Sequence, residues 1–218
     1  MKTPLETEIT HIDKAVQQLG DMVLTNVQKV MTMVKTQSTE KYDSLIESDK
    51  KIDKKAIDTE EMCTSLIARG NPVASNLRHI VSILKVSSEL ERIADYAKYI
   101  IRDLKKVSPD FFMQMNILVG EMLEIGTHMV QTSITAFKED NIKKAIESAK
   151  EDDRLDTLHR SLYKRIIKIT KNTENDHILE EASSMFFINR FLERIGDHST
   201  NICEWLYYAK TGERINLN

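Results

Sequence analysis

Apolar residues recur at helical spacing over a long run near the start of the chain: Ile9, Ile12, Val16, Leu19, Val23, Val27, Val30 and Val34. The steps are of three or four residues, which puts all eight on one face of a helix. Such a stripe predicts a helix over residues 5–36, longer than a small globule houses and ordinary for an up-and-down bundle. The scarcity of chain breakers extends that reading to the whole molecule. Six glycines and three prolines in 218 residues are too few for the many turns of a β-sandwich or barrel, or for a Gly-rich phosphate loop.

The remaining boundaries follow from start and stop signals. Gln37-Ser38-Thr39-Glu40 is read as the first turn, and a second helix over 40–69 ends at Arg69-Gly70. Asn71-Pro72 reads as N-cap and first residue of a third helix reaching 106. Ser108-Pro109-Asp110 repeats that signal for a fourth, carrying Phe112, Met115, Val119, Met122, Ile125 and Met129. A fifth opens near Asn141 and breaks at Lys171-Asn172-Thr173, and a sixth spans 175–210 before Gly212.

Two segments then match two others in the same order. Glu89–Ile100 (ELERIADYAKYI) lies over Phe191–Ile202 (FLERIGDHSTNI), and Lys50–Lys55 over Asp153–Leu158, at nearly the same offset. The prediction is an all-α fold of two tandem three-helix bundles, six long helices from an internal duplication, divided into residues 1–107 and 108–218.

A net charge of −3 offers no bulk attraction for nucleic acid or an acidic membrane surface. No window has the apolar length of a membrane span, and MKTPLETEIT lacks the apolar core of a signal peptide. The expected location is cytoplasmic, peripheral at a membrane only through partners. Cys63 and Cys203 share no motif and are expected as reduced, buried thiols.

The candidate chemistry lies in carboxylates on or beside the apolar stripes. On the third helix the face of Leu77, Ile80, Val81 and Leu84 continues to Glu91 and Asp95, with Lys98 and Arg102 beyond. On the sixth, Leu179, Ala182 and Phe186 lead to Glu193 and Asp197, then Glu204. The second helix carries Asp49 and Asp53 along the stripe of Tyr42, Leu45, Ile52 and Ala56, and the fifth carries Asp152 and Asp156 after Ala145 and Ala149. Carboxylates four apart project side by side, and buried anions are protonated, paired with a cation, or bound to metal. Oxygen donors suit Mg²⁺, Mn²⁺, Ca²⁺ or iron. The alternative is an edge position neutralised by Lys50, Lys54, Arg92 and Arg194. The residues alone leave both open.

Leu90-Glu91-Arg92-Ile93-Ala94-Asp95 and Leu192-Glu193-Arg194-Ile195-Gly196-Asp197-His198-Ser199-Thr200-Asn201-Ile202 resemble the paired E-R-I-G-D-x-x-x-N-I motifs of the PhoU family of phosphate regulators. Pro72–Ile80 is similar to the family's P-x-A-x-D-L-R-x-I segment, and Glu204–Glu213 to its ending. The resemblance implies a homodimer of tandem bundles without catalysis. It also implies a negative regulator of phosphate-starvation genes that links a phosphate-specific ABC transporter ATPase to a membrane sensor histidine kinase. The metal ligands it implies are Asp49, Asp53, Glu91 and Asp95 in the first half and Asp152, Asp156, Glu193 and Asp197 in the second. The metal would be iron, Mn, Mg or Zn. Ala94, Tyr99, Arg102 and Asn76 depart from the family pattern, so the first site is expected to hold fewer ions or bind them less tightly than the second.

Two other functions compete. A ferritin-like dimetal enzyme would need mid-helix E-x-x-H pairs, whereas Glu8–His11 and Glu174–His177 fall near helix starts. An accessory to a non-ABC phosphate carrier would use the same fold. Asp156 and His159 share a face, though a partly exposed polar role suits His159 better. The methionines of the fourth helix read mainly as core filling, and otherwise as an adaptable partner surface.

Overall fold

A computed structural model of the chain describes residues 3–217, and among these there is no β-strand. The helices are α1 (Pro4–Thr36), α2 (Tyr42–Gly70), α3 (Ala74–Leu104), α4 (Pro109–Met113), α5 (Asn116–Lys138), α6 (Ile142–Ala149), α7 (Asp152–Thr170) and α8 (Asp176–Thr211). Local chemistry accounts for most ends. Thr3 and Glu6 form a reciprocal cap on α1, with the Thr3 hydroxyl accepting from Glu6 N and the Glu6 carboxylate from Thr3 N. Ser108, Asn141 and Asn175 cap α4, α6 and α8 through their side-chain oxygens. Gly212, at φ 80°, ends α8 in the left-handed conformation that glycine adopts without steric cost.

The boundaries differ from expectation in three places. The anticipated fourth helix is divided at Gln114-Met115, where Met115 leaves helical geometry and packs into the core beside Phe111 and Phe112. The anticipated fifth is divided at Lys150-Glu151, where α6 gives way to α7 through a single tight turn. Asn71 is the left-handed residue that ends α2, so α3 begins at Ala74 after an extended Val73 and not at Pro72.

Helices α1, α2 and α3 pack on one another, as do α5, α7 and α8, with α6 against α5 and α8. The most extensive packing in the molecule joins α3 to α8, and α1 also meets α5. One main core spans both halves, with a smaller apolar cluster of Ala136, Ala145, Cys203 and Leu206 beside it. Leu19, Ile52, Ile83 and Ile93 belong to the main core together with Met122, Val130, Leu155 and Ile188. Met115, Met122 and Met129 are all buried within that core, as core filling requires, whereas Met113 is exposed. Cys63 and Cys203 are free and buried, and burial pushes both thiols up to about 12.

Polar contacts lock the α3–α8 seam. One oxygen of Glu89 accepts from Asn201 Nδ2 at 3.0 Å and lies 2.6 Å from His198 Nδ1. Tyr96 lies against the His198 ring, centroids 5.4 Å apart. Glu89→Ala leaves two half-buried groups of α8 without their acceptor. It should lower the unfolding free energy by about 1–3 kcal/mol, and an unchanged urea midpoint would contradict this account of the seam.

Candidate functional site

Asp49 is carried inward by its own helix. Leu45, Ile52 and Ala56 are buried on α2, and Asp49 stands four residues after the first of them, so docking that face takes the carboxylate with it to 3% exposure. Asp53, Glu91 and Asp95 lie alongside, each half-buried. Between them reaches Lys98 of α3. Its ammonium donates to Asp95 Oδ1 at 2.8 Å and to Asp49 Oδ2, and it lies 5.2 Å from the Tyr99 ring centroid. Burial alone would lower the Lys98 pKa, but the hydrogen bonds to Asp49 and Asp95 outweigh it and hold the group charged well above the usual lysine range. Burial, then the neighbouring charge of Asp49, raises Asp53; burial, then Asp95, raises Glu91.

The second cluster repeats this layout with different neighbours. Asp152 and Asp156 occupy the start of α7, with Glu193 and Asp197 on α8. Thr200 stands where the duplication has Lys98; it is fully buried and its hydroxyl has no hydrogen-bond partner. Glu193 Oε2 and His159 Nδ1 are likewise buried without hydrogen-bond partners, although Arg194 Nε lies 3.7 Å from that Glu193 oxygen. Burial, reinforced by the charges of Asp197, Asp156 and Glu193, pushes Asp152 up to about 7. Burial and Asp197 also raise Glu193, against the opposing charges of His159 and Arg194.

Gly196 sets the distance between α7 and α8. A Cβ there would stand 2.4 Å from Leu155 Cδ2 and 2.8 Å from Asp152 Oδ1. The missing methyl lets Asp152 lie directly against α8. The first repeat has Ala94 at this position.

Several expectations need correction. Of the expected faces Ile80 and Ala182 are buried, but Leu77 and Leu179 are substantially exposed, because the buried stripes run on through Ile83, Leu90 and Ile93 of α3 and Met185, Ile188 and Leu192 of α8. Glu91, Asp95, Glu193 and Asp197 therefore stand on half-buried shoulders of these helices and not on the buried stripe itself. Lys50 and Lys54 pair elsewhere, with Glu47 at 2.8 Å and Asp58 at 3.7 Å. Arg92 only approaches Glu91, at 4.0 Å, whereas Arg194 pairs with Asp197 at 2.8 Å. Arg102 binds Asp103 and lies over Tyr99, and Glu204 accepts from Leu217 N. Among the described residues no three His, Cys, Asp or Glu side chains converge closely enough to hold an ion. Like charges with no cation between them favour such separation. The role of Lys98 was missed, although its position three residues after Asp95 already placed it on the same face.

The comparisons decide the family. The family model described as the PhoU domain matches residues 16–104 and again 119–206. The chain belongs to the PhoU family. It is 28% identical to the phosphate-specific transport system accessory protein PhoU homolog of Clostridium acetobutylicum over 98% of this chain and 97% of that one. With the homolog of Borreliella burgdorferi it shares 34% over 78% of each chain. Among solved structures it is similar to the phosphate transport system regulatory protein PhoU from Streptococcus pneumoniae, at TM-score 0.88 and 26% identity over 97% of this chain and 99% of that one. PhoU from Pseudomonas aeruginosa superposes at TM-score 0.87 and 25% identity, covering 95% and 99%.

Two outcomes follow for this PhoU-family chain. Gly196→Ala should cost about 1–3 kcal/mol in chemical unfolding, because the added methyl enters the space of the buried Leu155; a neutral result would mean that α7 yields freely. A carboxyl raised in the folded state stabilises fully below its unfolded value and loses that contribution as pH rises through its folded value. In chelator-treated protein, Asp152→Asn should therefore be more stable than the parent at pH 8 by about 1 kcal/mol, allowing for solvent screening. The difference should vanish near pH 4, and melting curves at the two pH values check it.

Proposed function

We propose that this protein is a regulator of phosphate uptake, not an enzyme, and that it holds phosphate-starvation genes repressed when phosphate is plentiful. In this reading it contacts the ATPase of a phosphate-specific ABC transporter and a membrane sensor histidine kinase, and acts as a homodimer in the cytoplasm. The observation that carries the reading is the span of the likeness: both repeats match the PhoU domain, and relatives similar over nearly the full chain are named as accessory proteins of phosphate-specific transport. No helix among the described residues is long and apolar enough to cross a membrane, in keeping with attachment through partners.

The carboxylate clusters enter this proposal as metal sites. The donors of the second cluster suit a divalent or trivalent ion: four carboxylates, with Glu193 Oε2 and His159 Nδ1 buried and without hydrogen-bond partners. Arg160 pairs with Asp156 at 3.1 Å and Arg194 with Asp197 at 2.8 Å; a bound cation would supply the counter-charge that Asp152 lacks among the described ion pairs and would tie α7 to α8. These residues bind and orient, and the proposal assigns them no bond-making step. Iron, Mn, Mg and Zn are all compatible with such donors.

The dimetal-enzyme alternative has less support. Glu174 precedes α8, and His177 turns to Glu181 at 3.3 Å, so the second E-x-x-H does not form a helix-face pair. An accessory role with a non-ABC carrier remains the alternative within the same fold.

The test is transcription of the high-affinity phosphate transporter genes in phosphate-replete cells with the gene intact and deleted. Derepression on deletion, reversed by the wild-type gene, is expected. Unchanged repression would remove the regulatory role.

A further inference from the structure

The two carboxylate clusters, alike in their acids, differ in what stands at their centre. In the first, Lys98 is four-fifths buried and its ammonium donates to one carboxylate from each helix, Asp49 of α2 and Asp95 of α3. Asp49 is itself almost wholly enclosed, and Lys98 is its one ion-pair partner among the described residues. In the second cluster the duplicated position holds neutral Thr200, and the cations that pair with its acids, Arg194 on Asp197 and Arg160 on Asp156, have side chains 37% and 61% exposed. Arg92, which matches Arg194 in the first repeat, is 56% exposed and lies 4.0 Å from Glu91. A cation thus enters the interior of the first cluster and only the rim of the second.

We propose that the Lys98 ammonium is the resident cation of the first cluster and excludes a metal ion from it. This rests on the reading of the carboxylate clusters as metal sites and assigns the two repeats different occupants. A divalent ion entering between Asp49 and Asp95 would have to expel the ammonium from both charge-assisted hydrogen bonds and leave its long stem to find a new position against the core. The face of Tyr99, which stands where the second motif has Asn201, also lies close to that ammonium. The first repeat is in this way held together by a covalently attached charge, independent of metal supply. The same geometry makes the exclusion removable by one substitution.

The experiment uses the full chain, stripped with chelator and dialysed, and titrated with Mn²⁺ while free Mn²⁺ is followed by electron paramagnetic resonance. Lys98→Thr installs the side chain that the second repeat carries, and should bind at least one further equivalent of Mn²⁺ per chain than the parent. That increment should disappear when Asp49→Asn is added to it. Lys98→Met, which keeps the stem and removes the charge, should gain the same increment if Lys98→Thr does not fold, as circular dichroism will show. No added Mn²⁺ in a folded charge-removed variant would overturn the proposal. So would a Lys98-intact chain that loses bound Mn²⁺ on Asp49→Asn. If the parent binds no Mn²⁺ while Lys98→Thr acquires a site dependent on Asp49, the exclusion by Lys98 stands and the metal reading of the second cluster fails.

Discussion

The packing of α3 against α8 is the constraint on which the rest of the molecule depends. α8, of 36 residues, is the longest helix described and α3, of 31, is second to α1 in its bundle; each carries an L-E-R-I-x-D segment. Their apolar faces meet to join two three-helix units into one core, running from Ile83 and Ile93 to Ile188 and Ile202. Because that seam takes one face of each helix, α2 and α7 are left to pack on the neighbouring face. The shoulder between those faces is where Glu91, Asp95, Glu193 and Asp197 stand. The clusters are therefore a consequence of how the seam is filled: residues at the carboxylate positions are too far round the helix to join the core and too far in to be fully hydrated.

A half-buried set of four carboxylates is unstable by itself, and the two repeats relieve it differently. The first keeps Ala94 at the helix crossing and places Lys98 among its acids. The second has Gly196, whose missing methyl leaves room for Leu155 and Asp152 against α8, and burial pushes the Asp152 carboxyl up to about 7. Differences at two matched positions, 94/196 and 98/200, separate a cluster with an ammonium between its acids from one whose paired cations, Arg160 and Arg194, stay on its exposed side.

Recognition of the family follows from the pairing of motif and fold. Each repeat matches the PhoU domain in its own right, and the pair is similar to solved PhoU structures over almost the whole chain. Function inherits its direction from that membership, while the occupancy of each cluster depends on side chains that differ from one repeat to the other.

The long stripe from Ile9 to Val34, the rarity of glycine and proline, and the doubled L-E-R-I-x-D segment made the all-helical, duplicated fold legible in the sequence, because helical periodicity and capping are local properties. The eight carboxylates were legible for the same reason. The breaks at Gln114-Met115 and Lys150-Glu151 were not, since no proline or glycine marks them and core packing decides where the backbone turns. Nor were the exposure of Leu77 and Leu179, the turn of His198 toward Glu89, or the entry of Lys98 between Asp49 and Asp95. Sequence spacing fixes which residues share a helix face, whereas a long, flexible side chain takes its partner from whatever another helix brings within reach. Only the assembled helices decide that.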